Sequence, residues 1–411
     1  MLIIYGVRTR ARGKLIKNSC KILFLCLSVS LCFGCKKPKD IVSVVSNDYL
    51  KTVLVPKPVD FSDVNIIEDL EFIVLETSDK SLFGTVSRMR VYSDRIFLLD
   101  PIYAQELFVY TMDGKHISTI GANRGQGPQD FVKLSNFEID YVNELLLVMD
   151  NWGQKFMMYD FDGNFIRRID SKFHVTEAVL LPDDHIVHAK QSDEHKLPGQ
   201  SNNKIIITDF NQNIIKEGFA FDDNKNINMT NNGIIRSLPN GEIIFAPRLR
   251  DTIYNVTIDS ITPKYAIDYG VNKRISKQTI EGFKEDRENP INVDKALIRI
   301  INEGYMCFFG RNVESVDHLY LSLGFNSYTI AVFYNKNTGA SIALSNDGER
   351  EKRIESGLYR LLCSDEEGYF YGSLNTTQID RLIPLFPKLK EIDDLEDMNP
   401  IIFRYKIKNV E

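Results

Sequence analysis

Tryptophan occurs once in this 411-residue chain, and histidine and cysteine six times each. The sequence contains no HExxH, no GxSxG and no convincing catalytic-triad order, so neither a zinc-protease helix nor a nucleophile elbow is present to carry chemistry. No cluster of cysteine and histidine has zinc-ligand spacing, and no cofactor or metal is expected. Lysine and arginine total 50 against 56 aspartates and glutamates. That balance excludes a nucleic-acid partner, because phosphate binding needs a basic footprint. Leucine-rich helical stretches are scarce. Ile, Val, Phe and Tyr recur instead in short runs, as strands require.

The N-terminus has a different character. No acidic residue precedes Asp40, while Arg8, Arg10, Arg12, Lys14, Lys17 and Lys21 come before the 13-residue apolar run "ILFLCLSVSLCFG". A basic segment followed by an apolar stretch too short for a confident membrane span reads as an export signal over residues 1–34. It ends "LCFGC", which resembles a bacterial lipobox. That resemblance implies cleavage before Cys35 and lipid attachment to its sulfur. A plain secretory signal or an uncleaved anchor is the other reading. Residues 35–60 are read as lipidated cysteine plus tether, with no acidic run after Cys35 to direct the protein to the outer face. The expected address is the bacterial cell envelope, at the outer membrane facing the periplasm. Without the signal, 44 Lys and Arg stand against 56 acids, near −12. Only Cys307 and Cys363 remain beyond Cys35, and they are read as separate core residues.

A repeat then emerges. "YTMDGKHI", "YDFDGNFI" and "TDFNQNII" align with Met112, Phe161 and Phe210 at steps of 49 residues, and Ile117, Ile166 and Ile215 keep the same step. "RIFLLD" ending at Asp100 answers "LLLVMD" ending at Asp150. Each unit reads as four short strands, with Asp113-Gly114 and Asp162-Gly163 predicting type I′ hairpin turns. Four antiparallel strands repeating at this interval mark a propeller blade. Six blades are counted over residues 61–411. Helical insertions are expected near 276–304 and 378–398. The last blade lacks two strands of its own, and "PIIFRYKIK" and "DLEFIVLE" from the two ends of the chain supply them, which closes the ring and removes sheet edges.

With "GANRGQGPQDF" after blade one, "RDTIYNV" in blade four, "FYNKNTG" in blade five and "NPIIFRYKI" at the end, the chain resembles the six-bladed β-propeller lipoproteins of Bacteroidota-type gut bacteria. The resemblance spans about Asp60 to Lys408. Gln129 and Asp130 depart from that family's pattern, which has Gly and Glu there. The family implies a fold and an envelope location but no reaction.

The glycine-rich stretch Gly121–Phe131 lacks the lysine and hydroxyl of a phosphate loop, and a strand rather than a helix follows it. It reads as a joint between blades one and two. Such joints lie on the face where propellers bind ligands beside the central channel, so Arg124 and Gln126 either serve the joint alone or also present polar groups to the mouth. Trp152, at the matching corner of blade two, stacks on a sugar ring or covers the core. Arg248 and Arg250 face an anionic ligand or pair with acids such as Asp251. Glu303 and Arg311, flanking the first strand of blade five, admit the same two readings. His185 and His188, three apart on a strand, point to opposite faces and cannot share a metal. The expected function is non-enzymatic binding of a saccharide, peptide or envelope protein at the loop-rich face, with membrane attachment through the lipid. The alternative is a hydrolase or lyase acting on a glycan or peptide through channel-facing acids.

Overall fold

The computed structural model describes residues 39–40, 42–43, 50–125, 127–172, 177–190, 203–220, 234–275, 303–325, 328–345, 357–384, 386, 389–390 and 398–408. The export signal, Cys35, Gln126 and the expected helical insertion over 276–302 lie outside the described residues.

Six four-stranded antiparallel blades form a β-propeller. Blade one comprises Arg88–Tyr92, Arg95–Asp100, Glu106–Thr111 and His116–Ile120, from the channel outward. Blade two comprises Asn136–Asp140, Leu145–Asp150, Lys155–Asp160 and Phe165–Asp170. The innermost strands of blades three to six are Glu177–Leu181, Ile235–Ser237, Cys307–Glu314 and Leu361–Ser364. Blade six is completed as the sequence implied: Ile401–Ile407 is its third strand, and Ile67–Ile73, from the N-terminal part of the chain, pairs antiparallel as its fourth.

Continuous apolar runs such as Ile96–Leu99 suit this architecture, because both faces of every blade are covered. Phe97 and Leu99 pack into the core shared with blade two, while Ile96 and Leu98 pack into the core shared with blade six. Leu146 and Val148 likewise face blade one, and Leu147 and Met149 face blade three. One apolar layer fills each seam, including the seam between blades six and one that joins Tyr371 and Ile402 to Met89 and Phe108. Each fully buried Leu or Phe contributes roughly 1.5–3 kcal/mol. Cys307 and Cys363 are free and buried in this packing, and burial pushes both thiols up to about 12.

The hairpin turns differ from the expected type. Gly114 and Gly163 have φ of +83° and +86°, but Asp113 and Asp162 are not left-handed, as a type I′ turn would require. Instead, the amide of Gly114 donates to the Thr111 carbonyl and that of Thr111 to the Lys115 carbonyl, closing a four-residue connection. The extra residue is absorbed as a bulge at Val109/Tyr110, and the bulge recurs at Met158/Tyr159 and Ile207/Thr208. A longer connection with one left-handed residue and a bulge gives the strands their twist without positive φ at both centres.

Segment 39–60, expected as part of a tether, carries strands from Lys39 onward. Lys39–Asp40 pairs parallel with the outer strand of blade three, Val42–Ser43 and Lys51–Leu54 with that of blade four, and Val59–Asp60 with that of blade five. The chain thus covers three successive outer edges before entering blade six. Within the 378–398 region the helix Thr376–Leu382 is present, opened by a capping box in which Asn375 and Gln378 exchange side-chain bonds to each other's backbone amide, each 3.0 Å.

Candidate functional site

Antiparallel order places two kinds of connection on opposite faces. Turns between first and second strands, such as 93–94, and between third and fourth, such as 112–115, are short. Connections between second and third strands and between blades occupy the other face, and these include the long segments 74–87, 121–135, 221–234, 269–306 and 346–360. Arg124, Trp152, Arg248, Arg250 and Glu303 all belong to connections of that second face.

Two carboxylates brace this face over blades one and two. Asp100, fully buried at the end of its strand, accepts from the amides of Gly84 and Thr85 in the incoming crossover and from Ile102 and Tyr103 in the next turn. Asp150, its repeat equivalent, accepts from Val132 at 2.6 Å, Lys133 at 3.2 Å and Gly153 at 2.7 Å. The braced loops expose large apolar groups: Tyr103 and Trp152 are each 74% accessible, and Leu82, Ile102 and Val132 are exposed beside them in sequence. Trp152 therefore does not cover the core.

The Gly121–Phe131 joint is held from within. The Gly125 amide donates to the Phe131 carbonyl and the Phe131 amide to the Asn123 carbonyl, while the Phe131 ring is buried between blades one and two. At Gly121, φ is +101° and an added Cβ would meet Leu134 at 2.8 Å, so glycine is required there. The exposed Arg124 donates to the carbonyls of Ala104 at 2.9 Å and Gln105 at 2.7 Å, tying the joint to the neighbouring turn. A hydrophilic groove of about 440 Å³ runs beside the joint at the outer strands, lined by Thr119–Asn123, Gln129, Tyr159 and Gly163–Phe165.

In the channel the innermost strands bring together charges that the sequence reading did not single out. Arg90 holds Glu138 with two bonds of 2.7 Å, from Nε to Oε1 and from Nη2 to Oε2. Arg88 adds a third bond to Glu138 at 3.2 Å, contacts Asn136, and reaches across to the Ile235 carbonyl of blade four at 3.4 Å. Ser237 of blade four donates to the Ile139 carbonyl of blade two. Glu177 accepts from the Ile235 amide at 2.9 Å. Burial pushes the Glu138 carboxyl up, but the charges of Arg90 and Arg88 outweigh it and hold Glu138 below its ordinary value. Burial pulls Arg236 down to about 9 and Arg248 to about 10, so both guanidiniums remain charged at neutral pH. The signal for this cluster was present in the polar residues at alternate positions of "RMR" and "NFE", but only the ring places these strands side by side.

The named residues are otherwise distributed around the ring. Arg248 feels the charge of Glu177. Arg250 lies over the Phe219 ring at 5.3 Å, and Asp251, offered as its partner, is paired with Arg274. Arg311 neighbours Tyr320 and Arg360, and burial lowers it. Glu303 is exposed, and its carbonyl accepts from Lys273 at 2.9 Å. His188 is buried with Nε2 2.8 Å from the Thr208 hydroxyl, whereas His185 contacts the Pro182 carbonyl. Among the described residues no three His, Cys, Asp or Glu side chains are grouped to hold a metal, and no helix is long and apolar enough to cross a membrane.

The fold is similar to a protein of Bacteroides fragilis NCTC 9343 classed as exported, with a TM-score of 0.70 and 18% identity over 88% of this chain and 100% of that one. A DUF4221 family member from Bacteroides vulgatus is similar at a TM-score of 0.50 and 10% identity, over 84% of this chain and 98% of that one. No curated protein matches. The profile of DUF4934, a domain of unknown function, matches residues 48–406, and the chain belongs to that family.

Proposed function

We propose that this protein is an exported, lipid-anchored propeller of the cell envelope that binds a ligand or protein partner, without catalysis, at the face carrying the long connections. The observation that carries this reading is the pair of exposed aromatics, Tyr103 and Trp152, presented at matching corners of adjacent blades on loops braced by Asp100 and Asp150. Exposed aromatic and apolar groups on rigid loops lose little conformational entropy on binding and supply large contact area. The apolar neighbours Leu82, Ile102 and Val132 favour a peptide or protein segment over a saccharide. The channel acids give little support to a hydrolase, since Glu138 is fully engaged by Arg88 and Arg90. Export is supported by the signal-like N-terminus and by the exported status of the Bacteroides fragilis protein.

The test is a peptide and glycan array probed with the wild type and with Tyr103→Ala/Trp152→Ala. Specific binders lost by the double variant support the site, and equal binding by both proteins removes it. Separately, Cys35→Ala is expected to move the protein from the membrane to the soluble fraction. Unchanged fractionation refutes the anchor.

A further inference from the structure

Arginine outnumbers its partners in the channel. Arg88, Arg90 and Arg236 share the electrostatic field of Glu138, and Glu138 spends its oxygens on the first two. Glu314, the next acid in reach of Arg236, is engaged by Lys264 at 3.0 Å, Lys336 at 3.2 Å and the Tyr265 hydroxyl at 2.8 Å. Arg236, on the innermost strand of blade four, is only 8% accessible, and its Nε and Nη2 have no hydrogen-bond partner. These two donors form one edge of the guanidinium, the edge that grips two oxygens at once. Arg90 uses the same edge on Glu138. A buried cation with that fork empty is disfavoured unless a counter-charge completes it. Tyr141 of blade two and Cys363 of blade six lie within its electrostatic reach, so the groups around it come from several blades.

We propose that Arg236 is the anchor of a binding site in the channel for an oxyanion: the carboxylate, sulfate or phosphate group of a small ligand, held two-point by Nε and Nη2. Arg248 presents the same unpartnered edge from the connection 246–251 and adds to the positive potential that draws an anion in. This site is separate from the apolar corner at Tyr103 and Trp152.

The experiment measures thermal unfolding and titration calorimetry of the purified full chain with sodium acetate, sulfate or phosphate, against sodium chloride at matched ionic strength and pH 7. The wild type is expected to show a saturable rise in unfolding midpoint with at least one oxyanion and none with chloride. A response to acetate alone assigns a carboxylate ligand, and a response to sulfate or phosphate assigns a tetrahedral one. Arg236→Met is expected to weaken that binding at least tenfold while unfolding no earlier than wild type in chloride, because an uncompensated buried charge has been removed. Arg236→Lys keeps the charge but not the fork and is expected to weaken binding at least fivefold, and the distant Lys115→Gln to leave it unchanged. A wild type silent to all three oxyanions, or an Arg236→Met variant that responds equally, overturns the proposal. Selenate soaked into wild-type crystals gives a readout independent of variant folding: anomalous density at Arg236 supports the site, and none at saturating selenate overturns it.

Discussion

Arg90 and Glu138 meet side-on between the innermost strands of blades one and two, with both nitrogen–oxygen distances at 2.7 Å and both side chains almost wholly buried. The pair locks two neighbouring blades at the channel, where apolar packing is thinnest. Removing one partner strands the other charge in a low dielectric. Glu138→Ala is therefore expected to lose about 3–5 kcal/mol in denaturant unfolding. The double change Glu138→Leu/Arg90→Met is expected to lose less, and an equal loss would count against the pairing argument.

The same pair sets an acid limit. Glu138 titrates below its ordinary value in the folded state, so its contribution is fully present above the unfolded carboxylate pKa and fades as pH falls through the lowered folded one. Stability of the wild type should therefore drop in the acid range below the normal Glu pKa, and Glu138→Gln should show a flatter limb there. Parallel acid profiles by circular dichroism would contradict this.

Asp150 has a different role, as an acceptor for three amides of two connections. Asp150→Ala leaves those donors without a partner, with an expected cost of about 2–3 kcal/mol. The joint 121–135 should then exchange amide hydrogens faster and be cut sooner by protease, while the strands of blade two stay protected. Unchanged exchange at Val132 and Lys133 would contradict the brace.

The strand Lys51–Leu54 alternates between outward and buried positions, and Val53 is fully buried in the core shared by blades four and five. Val53→Asp should destabilise by more than about 3 kcal/mol, since an unpaired carboxylate would enter an apolar layer. Leu54→Asp, at a half-exposed position, should stay within about 0.5 kcal/mol. Similar losses from both would mean that this strand does not pack as described.

Gly114 and Gly241 separate conformation from space. Both are left-handed, but a Cβ on Gly114 would lie 2.0 Å from the Val74 carbonyl oxygen, whereas nothing lies within 4 Å of one on Gly241. Gly241→Ala should cost about 1 kcal/mol for the backbone alone, and Gly114→Ala clearly more, as read from unfolding midpoints.

Repetition made the architecture legible. The 49-residue step survives in the structure as the same bulge at Val109, Met158 and Ile207, and as the same left-handed residue at Gly114, Gly163 and Gln212. Because both faces of each blade are buried, local apolar runs marked the strands, and the two blade-less strands at the ends could be assigned to blade six by elimination. Turn type was misread because Asp-Gly suits several turns, and the number of residues between paired positions depends on register.

The chemistry of the site was a tertiary decision. Arg88, Arg90, Glu138 and Arg236 lie on strands of three blades, far apart in sequence, and each reads locally as a polar residue in a short strand. Only closure of the ring brings their side chains to a common axis, buries them, and determines which guanidinium edge is filled and which is left for a ligand. The residues picked out on the loops were placed on the correct face by strand order alone. Their partners were not, because hydrogen bonds such as those of Arg124 to Ala104 and Gln105 depend on how two connections meet in space. The sequence by itself determined the blade, its count and its closure, since these follow from periodic burial. The tertiary structure decided where charge is compensated and where it is not, since that depends on distances between blades.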